Sequence, residues 1–145
     1  DALQAAGWLW LGVLTWHKPQ ARPQKGKFRQ DCEFIVWGAK GRVNASANPV
    51  YLPGLYSASQ PSGKDRKHIT QKPVSVMRQL VKIAPPGGTV LDFCAGSGST
   101  GVAALLEGRQ FIGIEKTEEY ASVATERLSE TLRETASQED FVLGA

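Results

Sequence analysis

Apolar residues in this chain come in short blocks separated by turn-forming stretches, and the blocks change character about half-way along. Residues 7–16 (GWLWLGVLTW) are apolar and aromatic and predict a buried strand, and residues 32–38 (CEFIVWG) predict a second. Between them residues 17–29 (HKPQARPQKGKFR) hold five Lys/Arg, two prolines, one glycine and no acid, the composition of an extended loop rather than a helix. Residues 41–66 are rich in Gly, Pro, Ser and Asn with scattered apolar anchors, which predicts a long loop. From Pro73 the period becomes helical. Val74, Met77, Leu80, Val81 and Ala84 share one face, Pro73 suits the first helical position, and the run Pro85-Pro86-Gly87-Gly88 ends the helix. Residues 89–93 predict a strand, residues 99–107 a short helix stopped by Gly108, and residues 110–114 a strand that ends in Glu115. Thr117 can cap a last helix, with Glu118 and Glu119 in its first turn and Tyr120, Val123, Ala124, Leu128 and Leu132 as its buried stripe; fraying is expected from Ser137 onward. The second half therefore reads helix–strand–helix–strand–helix. A helical crossover between its two strands makes them parallel, and the fold class is α/β.

Charge adds a partner to this picture. Residues 1–73 carry 11 Lys/Arg against 4 Asp/Glu, whereas residues 74–145 carry 6 against 10. A basic first half suits a polyanion, although a solvated surface has the same composition. No apolar run is long enough to span a membrane. The start lacks both an initiator Met and a basic n-region, which does not read as a signal peptide and suggests a chain entered part-way through. Cys32 and Cys94 make no metal-ligand spacing and suit a reducing cytoplasm, where they are expected to pack as small hydrophobes. No metal site is expected.

Candidate chemistry concentrates in residues 90–101, VLDFCAGSGSTG: a strand end, an acid, a glycine-rich turn and the start of a small-residue helix. Glycines let a backbone approach a ligand closely, and a helix start presents free N–H groups. The segment from Gly96 to Gly101 fits G-x-G-x-x-G, and two cofactors remain open on the residues alone. A nicotinamide dinucleotide would place pyrophosphate on the turn and ribose on Glu115. S-adenosylmethionine would place its ribose on Glu115 and its ammonium near Asp92. Asp92 directly before the turn repels a pyrophosphate and attracts a cation. The interval from Gly101 to Glu115 is also shorter than the dinucleotide pattern expects.

Three blocks resemble the β-class, permuted DNA amino-methyltransferases. His68-Ile69-Thr70-Gln71-Lys72-Pro73 resembles their H-x-T-Q-K-P element, residues 91–100 their L-D-P-F-x-G-S-G-T-T turn, and Phe111-Ile112-Gly113-Ile114-Glu115 with Tyr120 and Arg127-Leu128 their I-G-I-E…Y…R-L segment. More loosely, Trp16-His17-Lys18, Pro23, Arg29, Glu33 and Trp37 are similar to a pattern of cell-cycle adenine methyltransferase relatives. The resemblance implies a Rossmann-like S-adenosylmethionine-dependent methyltransferase fold, incomplete in this chain. It implies methyl transfer to an exocyclic amine of double-stranded DNA, adenine N6 ahead of cytosine N4, in a restriction-modification or related setting in a prokaryote or phage. Thr70, Gln71, Lys72, Pro73, Asp92, Phe93, Cys94, Gly96, Ser97, Gly98, Ser99, Thr100 and Glu115 are then the cofactor-binding residues, and Lys18, Arg22, Lys25, Lys27 and Arg29 face DNA.

Departures from the pattern are informative. Phe93-Cys94 stands where the family has Pro-Phe, Ser99 replaces a Thr, and Cys32-Glu33 stands where relatives often have His-Glu. The catalytic (D/N/S)-P-P-(Y/W) tetrapeptide is absent, since Pro85-Pro86 is followed by two glycines. No catalytic residue is therefore assigned, and the chain is expected to be the C-terminal portion of such an enzyme, partnered by the missing N-terminal part or a dimer mate. The expected organisation is strands and basic loop over 1–40, a flexible or target-recognition-side segment over 41–67, a cofactor-binding half over 68–136 and a tail over 137–145. Alternatives are a non-catalytic DNA-binding or regulatory remnant, a nicotinamide-dependent oxidoreductase, and a methyltransferase acting on RNA or protein.

Overall fold

The aromatic block near the start forms a strand, β1 (Leu9–His17), preceded by one helical turn, α1 (Ala2–Ala5). The computed structural model describes residues 2–63 and 71–143, with side chains through residue 137. The chain divides into two compact units, residues 1–60 and 61–145.

In the first unit β1 is central. It pairs antiparallel with β2 (Cys32–Ala39), from Leu9 opposite Ala39 to His17 opposite Cys32, and parallel with β3 (Leu55–Ser57) through its last three residues. The expectation of a buried first strand holds only at its end. Trp16 is 2% exposed and donates its indole N–H to the Ala58 carbonyl at 2.8 Å, and Tyr56 beside it is buried. Val13, Phe34 and Val36 share the other face and are exposed. The cause is short overlap: β3 lies against Thr15–His17 alone, so only that end gains neighbours on both sides. β3 itself falls inside the stretch read as loop, because three residues are too few to show a period. Residues 18–31 carry no helix or strand, as the basic, proline-containing composition requires.

In the second unit α2 (Val74–Leu80) runs into a 3-10 turn (Val81–Ile83) and is followed by β4 (Thr89–Asp92), α3 (Ser99–Leu106), β5 (Gln110–Gly113) and α4 (Glu118–Leu143). β4 and β5 are parallel, from Thr89 opposite Gln110 to Asp92 opposite Gly113. Pro73 is the extended residue before α2 (φ −60°, ψ 128°), not its first helical residue; its carbonyl accepts from the Val76 and Met77 N–H groups. The stripe of α2 and its 3-10 turn is centred on Val76 and Val81, both buried, with Val74, Met77, Leu80 and Ala84 only half-buried. The positive φ of Gly108, 69°, follows α3, as expected of its stop.

α4 does not end near Ser137 but continues to Leu143. Helix-favouring Glu, Arg, Leu and Ala sustain it. Its buried residues are Ala124 and Thr131, with Tyr120, Val123 and Leu128 half-buried; Leu132 is exposed, because the run 124, 128, 131 follows the 3.6-residue period and turns the face away from it. α3 packs through Gly101 against the Phe111 ring of β5 and Leu128 of α4, while Leu91, Ile112 and Ile114 on the opposite sheet face are exposed. The C-terminus of α3 is tied to α2 by Glu107, whose carboxylate lies 2.6 Å from Arg78 Nε and 3.5 Å from Lys82 Nζ. Burial alone would raise the Glu107 pKa, but the Arg78 hydrogen bond and charge, with Lys82, hold it below the usual value. Among the described residues no helix is long and apolar enough to cross a membrane.

Candidate functional site

The carboxyl ends of parallel strands are where an open α/β sheet leaves room for a ligand, and here both ends carry acids. Asp92 closes β4, and Glu115 lies two residues beyond β5. The pairing continues past the strands: Ile114 N–H donates to the Asp92 carbonyl at 2.8 Å and Ala95 N–H to the Ile114 carbonyl at 3.0 Å. The turn between β4 and α3 is thereby anchored on β5. Gly96 and Gly98 have φ of 53° and 77°, in the left-handed region where a side chain is strained. Gly98 also lies close against α4, since a Cβ there would stand 3.0 Å from the Ala124 Cβ.

Both acids are used within the turn. Asp92 Oδ1 accepts from the Cys94 N–H at 3.0 Å and Oδ2 from the Thr100 hydroxyl at 2.6 Å. Glu115 Oε2 accepts from the Gly96 N–H at 2.8 Å and Oε1 from the Thr117 N–H at 2.9 Å. The Thr117 N–H first, and the Gly96 N–H next, hold the Glu115 carboxyl below its usual pKa. Each carboxylate oxygen keeps a second lone pair, so both acids can still accept from a ligand or attract its cation. The site is therefore a rigid, anionic, glycine-lined rim.

The remaining residues expected at a cofactor are distributed unevenly. Ser97, Gly98 and Ser99 are buried and Thr100 is half-buried. Ser99 Oγ is buried and has no hydrogen-bond partner among the described residues. Phe93, 73% exposed, and Cys94, also exposed, sit on the rim beyond β4. Cys94 and Cys32 are both exposed free thiols, not packed hydrophobes, because each lies at a strand end where the chain turns outward. Gln71 and Pro73 are buried and Lys72 is exposed. Thr70, with the other residues of the His68 to Thr70 segment, lies outside the described residues.

One residue carries a contact that the sequence reading did not assign. Arg127 of α4 donates from Nη1 to the Ser97 carbonyl and, at 3.3 Å, to Ser97 Oγ, across 30 positions of sequence. Burial lowers its pKa, with Glu130 acting the other way. The spacing of Ala124, Arg127, Leu128 and Thr131 on one helical face was the signal available for it.

In the first unit the basic loop splits into two groups. Lys18 Nζ lies 3.2 Å from Glu33 Oε1 and 5.9 Å from the Trp16 ring centroid, and its side chain is largely covered. Arg29 lies 3.5 Å from Asp31 and donates to the Pro19 carbonyl. Arg22, Lys25 and Lys27 form no ion pair among the described residues; Lys25 and Lys27 are exposed.

A family model described as DNA methylase (N6_N4_Mtase) matches residues 1–126. The chain belongs to that family. This DNA methylase family member is 36% identical over 122 residues to YubD of Escherichia coli (strain K12), an overlap of 80% of the chain and 50% of YubD. It is 31% identical over 140 residues to the type II methyltransferase M.XycI of Xanthomonas campestris pv. cyanopsidis, covering 88% of the chain and 47% of that protein. Among solved structures it resembles the M1.HpyAVI–SAM complex, with a TM-score of 0.73, 34% identity, and coverage of 87% of this chain and 65% of that one. The cytosine-N4-specific PvuII DNA methyltransferase, 19% identical with a TM-score of 0.69, shares the fold. The family member spans about half the length of the curated relatives it matches. Its α/β fold is that of S-adenosylmethionine-dependent DNA methyltransferases.

Proposed function

We propose that these 145 residues form the donor-binding part of a site-specific DNA methyltransferase that moves a methyl group from S-adenosylmethionine to an exocyclic amine of double-stranded DNA, adenine N6 ahead of cytosine N4. The observation that carries the reading is the anionic rim of Asp92 and Glu115 on a turn whose two left-handed glycines leave backbone, not side chains, facing the ligand. A pyrophosphate would meet two carboxylates there, whereas a cationic amino acid with a ribose meets complementary charge and acceptors. The preference for adenine rests on the likeness of the first half to cell-cycle adenine methyltransferases.

S-adenosylmethionine supplies an electrophilic methyl on a sulfonium. Glu115 would accept from its ribose hydroxyls, Asp92 would face its ammonium, and the turn from Gly96 to Thr100 would lie against it. These contacts fix one reactant, and holding two reactants close and in line supplies much of the rate of such a transfer. The residues that would make the amine nucleophilic belong to the tetrapeptide that this sequence lacks. The same absence favours, as a second reading, a DNA-binding remnant without activity. Calorimetric titration with S-adenosylmethionine and with NAD decides the cofactor: uptake of the former alone supports the proposal, and uptake of NAD or of neither removes it. DNA binding without donor binding points to the remnant. No methyl transfer to DNA by these residues alone is expected.

The orphaned Ser99 hydroxyl fits a ligand-binding role, since a buried hydroxyl without a partner carries a cost that a ligand atom can relieve. Ser99→Ala is expected to stabilise the ligand-free protein by about 1 kcal/mol and to weaken donor binding. Urea titration and calorimetry read the two effects, and an unchanged affinity takes Ser99 out of the site.

For DNA, Arg22 and the exposed Lys25 and Lys27 are the stronger phosphate-facing candidates, and Lys18 and Arg29 brace the loop. The Lys25→Ala/Lys27→Ala pair is expected to reduce the slope of log K against log salt by roughly 0.9 for each phosphate left without its lysine. Lys18→Ala should leave that slope alone and lower stability. Equal slopes in all variants would remove the loop from the interface.

A further inference from the structure

We propose that Arg127 is a positioning residue that sets donor affinity from behind the glycine-rich turn without touching the donor. The inference rests on the cofactor reading above and deepens it. Ser97 is 3% exposed and sits between the two left-handed glycines, so its carbonyl and hydroxyl face the protein interior. Both accept hydrogen bonds from a single nitrogen of Arg127. Arg127 belongs to a continuous face of α4 that forms the floor of the turn: Ala124 lies against Gly98, Leu128 against Gly101, and Thr131 is buried with its hydroxyl donating to the Arg127 carbonyl at 2.8 Å.

Electrostatics explains why arginine serves here. Among the described residues no carboxylate lies within ion-pair distance of the guanidinium, so it is held by turn oxygens and not by a counter-charge. A half-buried cation without an ion-pair partner costs free energy unless its hydrogen bonds return it. Those bonds are strong because the donor is charged. They pin the one peptide that decides whether Gly96 and Gly98 keep their left-handed geometry. The Gly96 N–H in turn holds Glu115, so a loosened Ser97 would also release the acid expected at the ribose.

The test uses the 145-residue chain with Arg127→Met, Arg127→Lys and Glu115→Ala. Calorimetry with S-adenosylmethionine reads affinity, and amide exchange by NMR reads the Gly96 and Gly98 N–H groups, which bond to Glu115 and to the Ala95 carbonyl. Arg127→Met is expected to weaken donor binding roughly tenfold or more and to speed exchange of those two amides while the β5 amides stay protected. Arg127→Lys keeps the charge and one bond and should recover part of both. Unchanged exchange at Gly96 and Gly98 in both variants overturns the proposal whether or not donor binds. Unchanged affinity in both, with Glu115→Ala weakened, overturns it and leaves the cofactor reading standing. Loss of protection throughout the unit in both variants shows a purely structural role and also overturns it. A parent chain that takes up no donor defeats the cofactor reading, and the inference with it.

Discussion

Gly98→Ala is expected to destabilise the second unit by about 3 kcal/mol and to abolish donor binding. Two independent terms add. At φ 77° and ψ 21° an L-residue is strained by roughly 1–2 kcal/mol. The added methyl would also stand 3.0 Å from the Ala124 Cβ and 3.2 Å from its Cα, so turn and helix must separate, at a further cost of about 1–3 kcal/mol. Separation lifts the turn off α4 and displaces the N–H groups that order Glu115. A thermal melt should show a fall of about 10 °C. The pair Gly98→Ala/Ala124→Gly divides the two terms: it relieves the contact and keeps the dihedral strain, so it should recover part of the stability. A melt identical to the parent would mean that the turn does not adopt the left-handed geometry described here.

Glu115→Ala is expected to weaken S-adenosylmethionine binding roughly tenfold or more, because the ribose hydroxyls lose a charged acceptor. The structure adds a second consequence, loss of the tether between the Gly96 N–H and the end of β5. Glu115→Gln separates them, since it keeps an acceptor and loses the charge. The pH dependence has a definite sign. The Thr117 and Gly96 N–H groups lower the Glu115 pKa in the folded chain from its ordinary 4.5. A depressed carboxylate stabilises fully above its unfolded value and loses that contribution as pH falls through the folded value. Donor affinity and turn order should therefore be level through neutral pH and decline only below about 4.5. In Glu115→Gln that acid limb should shrink, leaving the part owed to Glu107 and other carboxylates. A calorimetric pH series in which parent and variant decline alike would reject the role.

How far the site could be read from the chain depends on the distance between interacting residues. The Asp92 and Gly96 to Thr100 segment was legible because a strand end, two glycines and a helix start are adjacent in sequence. Glu115 was legible because strand and crossover lengths place it at the neighbouring strand end. What those acids bond to was not: the Asp92 bonds to Cys94 and Thr100 depend on how the turn closes, and the Gly96 bond to Glu115 on the register of β4 with β5. Lys18 illustrates the same limit, since in sequence it is one of five similar cations, and only its approach to Glu33 across β1 and β2 makes it a brace.

By itself the sequence determined the alternation of helices and strands, the parallel pair, the glycine turn and its acids, since period, caps and glycine freedom act over a few neighbouring residues. Only the tertiary structure decided that three residues of a loop add a strand beside Trp16, that Thr131 rather than Leu132 is buried, and that Arg127 lies behind Ser97. Those choices join residues tens of positions apart, and their free energy comes from packing and charge-assisted hydrogen bonds that no local window of sequence contains.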